Sequence, residues 1–369
     1  MAQATWLKWR CRSNHYIGPR LQCAPLRDLC AHSPACSHAL PFLHTVNPRQ
    51  MDASYNRHSL VQRGQGAGLV ANLANLQQPA CVADFGCGPG NNSILALDAI
   101  IAQGRRQKAF MVDAQDEDLW RQLEGVLSRL AGRGMEFEFV RSSFYEPLHA
   151  IASAQLDAAW CSVAAHWLPA LPTPMPEGVV GNQLSHGPRR DAWREAADRA
   201  WHLFLRLRAR EIRPGGHLVV AMPGLDPGDG EYCGTRAWPA FADIKKRLLG
   251  DGAIDSEQAE RLATREYFRT EAELRGPIEA EGSWSVASYE LERRPCPFWT
   301  QLQSGAIAQE EFAAQVSKAF RGFLSTEFNA ALGAAASAFW TEVERRAVQQ
   351  PDDWVMSVVM HQVVLVRKV

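Results

Sequence analysis

The first residues in this chain that could do chemistry are Asp84-x-Gly86-x-Gly88-x-Gly90. Glycines at this spacing let the backbone take positive φ and approach a ligand with no side chain in the way. A dinucleotide fingerprint reads G-x-G-x-x-G, its third glycine letting helix and strand close beneath a pyrophosphate. Asn91 stands where that third glycine would be, which disfavours a nicotinamide dehydrogenase. An acid two residues before the first glycine is poorly placed for a pyrophosphate and well placed for an ammonium group. A second acid, Asp113, follows 23 residues after Gly90. A carboxylate there can accept from both hydroxyls of a ribose, or cap the helix that follows. Further on, His166-Trp167 stand together, either as a buried core pair or as a site at a strand end.

An ammonium acceptor and a ribose acceptor flanking a glycine turn describe a nucleoside that carries an amino acid. The loop resembles motif I of S-adenosylmethionine (SAM) methyltransferases, and SAM is the expected cofactor.

The elements around these residues spell an α/β chain. Cys81-Val82 leads into the loop as the end of a strand, and Ser93 to Ile101 has helical apolar spacing, the first unit of a doubly wound sheet. Lys108 to Asp113 reads as the second strand and Asp116 to Leu130 as a helix. Met135 to Val140 alternates, as a strand does. It leads into Ser143-Phe144-Tyr145, a hydroxyl and rings that could bracket an adenine. Leu156 to Val163 is the fourth strand, expected at the sheet centre. A helix over Asp191 to Arg213 is ended by Pro214-Gly215-Gly216, and His217 to Pro223 is the fifth strand. Residues 224 to about 345 read as a largely helical cap, joined by an irregular stretch at about 170–200. Gly282 to Leu291 reads as a further strand of the main sheet. The β-branched run that closes the chain suits a buried final strand.

Composition sets the class. The 369 residues are 46% hydrophobic with a formal net charge of -1, enough for one large domain with an insertion. So balanced a charge argues against a nucleic-acid or anionic-membrane surface as the main partner. No apolar run approaches the roughly 18 to 20 residues of a spanning helix. The nine cysteines are scattered and read as reduced thiols of a soluble intracellular protein. Twelve tryptophans fit a core together with an aromatic-lined pocket.

Residues 1–50 stand apart, with six Lys/Arg, one acid (Asp28) and four cysteines lacking a paired C-x-x-C spacing. They read as an organellar transit peptide or as an extension ahead of a start at Met51, disordered in either case. From Met51 to Gln62 spacing alone indicates only a capped helix start.

From Met51 to Val369 the chain resembles the SABATH family of plant carboxyl methyltransferases. The likeness is carried by Asp52-Ala53-Ser54-Tyr55, Ser59-Leu60-Val61-Gln62, the Asp84 loop, Asp113, Ser143-Phe144-Tyr145, His166-Trp167-Leu168 and Arg213-Pro214-Gly215-Gly216. The resemblance implies a Rossmann-like SAM methyltransferase sheet with a helical cap and methyl-ester formation on a small-molecule carboxylic acid. It implies cofactor contacts from Tyr55, Ser59, Asp84, Gly86, Cys87, Gly88, Asn92, Asp113, Ser143 and Phe144. Substrate contacts fall on Tyr55, Gln62, His166 and Trp167, with no general base. It further implies a homodimer in the cytoplasm, or in a plastid if the leader is a transit peptide. Val163 stands where relatives usually carry a tyrosine, which implies a roomier pocket or a different acid. Some relatives bind magnesium through an Asn and a Phe-Asn pair; Asn182 matches the first, but Phe268 is followed by Arg269, so no metal is expected. N-methylation of a purine-like alkaloid and a non-catalytic ligand-binding role remain the alternatives.

Overall fold

The computed structural model describes residues 72–73, 76, 79–101, 107–114 and 117–369. The leader and the Met51–Gln62 segment, with Tyr55, Ser59 and Gln62, lie outside the described residues.

Seven strands form one mixed sheet in the order β3-β2-β1-β4-β5-β7-β6. They are β1 (Cys81–Phe85), β2 (Gln107–Asp113), β3 (Met135–Arg141), β4 (Leu156–Ser162), β5 (Ile212–Pro223), β6 (Trp284–Arg294) and β7 (Val358–Arg367). The first five run parallel, so their carboxyl ends share one edge. β7 enters antiparallel between β5 and β6. β4 occupies the middle of the sheet, as its apolar run requires.

Parallel strands must be covered on both faces, and alternation along β1 shows how. Val82 joins Leu97, Ile100, Leu123 and Leu127, which come from helices α1 (Asn91–Ile101) and α2 (Glu117–Ala131). Ala83 and Phe85 join Trp201, Phe204 and Leu205 of α3 (Pro188–Glu211) on the other face. The stretch read as cap at 170–200 therefore divides: residues up to about 187 stay irregular, while α3 packs beneath the sheet.

The Pro214-Gly215-Gly216 turn lies within β5. α3 ends at Glu211, Ile212 already pairs with Leu156, and the register then jumps to Ala158 opposite His217. The proline and glycines form the bulge that absorbs the difference.

Beyond β5, the cap contains α4 (Ala237–Gly250), α5 (Ser256–Arg261), α7 (Pro297–Gln303), α8 (Gln309–Leu332) and α9 (Ala336–Gln349), whereas α6 (Glu271–Glu281), within the stretch read as cap, packs Leu274 and Ile278 with Trp201 of α3 beneath the sheet. An aromatic cluster of Trp238, Phe241, Phe320, Phe328, Phe339 and Trp354 holds much of it together. Phe241 is the hub, with Phe320 at 4.8 Å and Trp354 at 5.1 Å between ring centroids, both edge-on. Such pairs add about 0.5 to 1.5 kcal/mol each beyond their buried area. No helix among the described residues is long and apolar enough to cross a membrane.

Candidate active site

The glycine loop leaves β1 after Phe85 and is pinned to the end of β2. The N–H groups of Gly86 and Cys87 donate to the Val112 carbonyl at 2.8 and 3.2 Å. The Gly88 N–H donates to the Asp113 carboxylate at 2.8 Å. Gly86 has φ +79°, and a Cβ there would lie 2.4 Å from the Ala164 Cβ at the end of β4. Gly90, at φ +88°, would meet Leu123 of α2 at 2.1 Å. One glycine lets the loop touch β4; the other lets α2 close against it.

Asp84 and Asp113 project from β1 and β2 toward the α1–α2 face, since each lies in step with the residues that do. Asp84 is only 3% exposed and accepts the Ser93 hydroxyl at 2.6 Å. Burial pushes its carboxyl up to about 7, with the Asp113 charge adding to the rise and the Ser93 hydrogen bond opposing it. A carboxyl so starved of solvation favours a neighbouring cation, which is what an ammonium would supply. Cys87 is buried beside both acids, and burial with their charges raises its thiol well above the ordinary range. It is a neutral wall of the loop. Asn92 lies half-buried in the first turn of α1.

After β3, the Ser143 hydroxyl accepts the Tyr145 N–H at 3.1 Å. The Phe144 ring stands beside Gly86 and packs edge-on against Phe204. The Phe144 carbonyl is held by Arg208 at 2.7 Å, a fully buried guanidinium of α3 that also pairs with Glu211 at 2.8 Å. The Tyr145 hydroxyl donates to the carbonyls of Ala165 at 3.2 Å and Trp167 at 2.9 Å, tying this loop to the next.

That next loop leaves β4 through Val163, whose φ of +56° is unusual for a β-branched residue and is held by its N–H to the Ala221 carbonyl at 2.7 Å. A narrow, open cleft follows, with Val163, His166, Trp167, Glu266, Phe268 and Phe323 among its lining. His166 is 1% exposed, its Nε2 3.2 Å from Glu266 Oε1, and its ring stacks on Phe268. Trp167 is half-buried, edge-on to Phe323. The described residues thus divide into a polar glycine-lined cradle, which touches Ala164, and an apolar pocket, which is lined by the preceding residue Val163.

A glycine loop flanked by two acids is the arrangement expected of a SAM cradle. The family of SAM-dependent carboxyl methyltransferases matches residues 50–368. The chain belongs to this family. Indole-3-acetate O-methyltransferase 1 of Oryza sativa subsp. japonica is 24% identical over 309 residues, 72% of this chain and 75% of that protein. The benzoic acid/salicylic acid carboxyl methyltransferase 3 of Petunia hybrida is 24% identical over 287 residues, 67% of this chain and 78% of its own. Among solved structures, loganic acid methyltransferase with SAH superposes with a TM-score of 0.71 at 19% identity, covering 87% of this chain and 99% of that one. At that identity the likeness is one of fold.

In this SAM-dependent carboxyl methyltransferase the residues that match the magnesium positions of some relatives are engaged with each other. The Asn182 side chain donates to the Phe268 carbonyl and accepts the Phe268 N–H, both at 2.9 Å. The Arg269 guanidinium is buried beside them, donating to the carbonyls of Ala165 and Ala197. No group of three or more His, Cys, Asp or Glu that could hold a metal occurs among the described residues.

The fold also brings to the loop and the pocket residues that spacing did not single out. Arg208 holds the Phe144 loop, and a buried arginine at the end of an amphipathic helix has no signature in sequence. Glu266 enters the pocket from Thr264-Arg265-Glu266-Tyr267, where its polar neighbours read as ordinary surface. Trp238, Phe320 and Met356 complete the wall from three distant segments.

Proposed function

We propose that the enzyme forms the methyl ester of a small-molecule carboxylic acid held by Trp167 and Gln62, with His166 and Tyr55 against the same substrate. The junction at Ala164 carries this reading: the pocket begins where the glycine loop touches β4. SAM, when bound, supplies a sulfonium methyl group. Asp84 accepts from an ammonium and Asp113 from ribose hydroxyls, while Ser143 and Phe144 flank an adenine. Gly86 and Gly88 keep the cradle open, Cys87 and Asn92 line it, and the family likeness adds Tyr55 and Ser59 as cofactor contacts. A carboxylate is ionised at neutral pH, so the reaction asks for no general base. Alignment does the work: an indole N–H and an amide fix the acid so that one oxygen faces the methyl carbon. Apolar walls such as Phe268 and Phe323 exclude water and strengthen the attraction between the two ions. The family likeness supports a cytoplasmic homodimer, which sedimentation and fractionation would test; a cleaved leader would instead support a plastid.

The deciding experiment incubates the enzyme with methyl-labelled SAM and a panel of small aromatic and aliphatic acids. Label that is released by alkali reports an ester. A second reading, methylation of a ring nitrogen, is favoured by the Glu266 carboxylate, an acceptor suited to a ring N–H. Alkali-stable label from a xanthine acceptor would establish it instead.

A further inference from the structure

Among the described residues the walls of the acceptor pocket are apolar almost throughout and include no lysine or arginine. Glu266 is the exception that carries charge. Its side chain is 6% exposed, with Oε1 against His166 and Oε2 accepting the Thr264 hydroxyl at 3.2 Å. A carboxylate offers about four lone-pair positions, of which these contacts use two. Its charge reaches Cys233 on the pocket wall, where burial first and Glu266 second raise the thiol.

Glu266 also stands opposite Trp167 across an isolated antiparallel bridge. Facing residues in such a pair hold their Cβ atoms about 5 Å apart. The indole that holds an acid thus has a buried carboxylate beside it. Toward a bare carboxylate that neighbour is repulsive; toward an acid with its own O–H or N–H it is an acceptor.

Resting on the carboxyl-methylation reading above, we infer that Glu266 selects acids that carry a hydrogen-bond donor close to the carboxyl group. His166 orients the carboxylate, and the donor of the substrate takes one of its remaining lone pairs. The pocket accordingly prefers a hydroxy acid or an azole carboxylic acid over the same skeleton without the donor.

Matched acceptors test this. Ester formation is measured with 2-hydroxy-2-phenylacetate against phenylacetate, and with indole-2-carboxylate against its 1-methyl derivative, for the wild type and for Glu266→Gln and Glu266→Met. The expected result is a wild-type preference of about tenfold or more in kcat/KM for the donor-bearing member of each pair. In Glu266→Met that ratio should fall to near one, and in Glu266→Gln, which keeps an amide oxygen as acceptor, it should fall part of the way, while affinity for S-adenosylhomocysteine and the thermal midpoint confirm the fold. Equal use of both members by the wild type, or a preference that survives in both variants, overturns the inference and leaves carboxyl methylation standing. Absence of ester from every acid, with labelled SAM bound, overturns the carboxyl reading and this inference with it.

Discussion

The Asp113 carboxylate accepts the Gly88 N–H at 2.8 Å, so the acid assigned to a ribose also shapes the loop assigned to the methionine end of the cofactor. The two assignments are physically coupled. Asp113→Ala should weaken S-adenosylhomocysteine binding by about 10- to 100-fold, the usual worth of a hydrogen bond to a charged group. Asp113→Asn keeps an oxygen for Gly88 and loses only the charge, so its loss should be smaller. Calorimetry reads both. Unchanged affinity in the alanine variant would remove Asp113 from the site.

Asp84 predicts a pH dependence of known sign. Burial raises its carboxyl to about 7 in the free protein, above the ordinary carboxylate value. Whatever stability it contributes is therefore complete at low pH and is lost as pH rises through about 7. An ammonium beside it favours the anion, so binding the cofactor should release a proton near neutrality. Affinity for S-adenosylhomocysteine should then rise between pH 6 and 8, with a heat that depends on the buffer. Asp84→Asn should bind more weakly and without that pH dependence. A wild-type affinity that is flat over this range would exclude contact between Asp84 and the ammonium.

Much of this arrangement was legible because the strand–loop–helix unit is local. Asp84, Gly86 and Gly90 lie within seven residues, and alternation in Met135–Arg141 marks its strand without help from the rest of the chain. The hydrogen bond between Asp84 and Ser93 was not legible, because it depends on how the first turn of α1 folds back onto β1. The acceptor pocket was half legible. His166 and Trp167 follow a strand, whereas Glu266 is about a hundred residues away and meets them only in the fold, by an isolated bridge to Trp167 and a side-chain contact with His166. The Pro214-Gly215-Gly216 turn was assigned to the end of the helix because helix stops and β-bulges use the same residues.

Arg208 connects stability to the cofactor cradle. It is fully buried, paired with Glu211 and hydrogen-bonded to the Phe144 carbonyl. Burial raises the Glu211 carboxyl even though Arg208 pulls it down, so the acid depends on its partner. Arg208→Met should cost about 3 to 5 kcal/mol in urea unfolding, the price of a buried charge left alone. Replacing both residues, Arg208→Met with Glu211→Leu, should recover most of that loss. The double variant should still bind S-adenosylhomocysteine more weakly, because Phe144 has lost its anchor. Full recovery of affinity in the double variant would show that Arg208 acts on stability alone.

The contact between Gly86 and Ala164 can be tested by exchanging which side carries the methyl group. Gly86→Ala brings a Cβ within 2.4 Å of Ala164 and places an L-residue at φ +79°. The variant should lose both cofactor affinity and methyl transfer, because the loop and β4 can no longer approach. Ala164→Gly in the same chain removes the overlap but not the left-handed backbone, which costs about 1 to 2 kcal/mol. The double variant should therefore bind S-adenosylhomocysteine better than Gly86→Ala and worse than the wild type. If Ala164→Gly gives no recovery, the backbone angle alone accounts for the glycine and the junction between cradle and pocket is not sterically tight. If recovery is partial, as expected, the close approach of loop and strand requires the glycine as much as the backbone angle does.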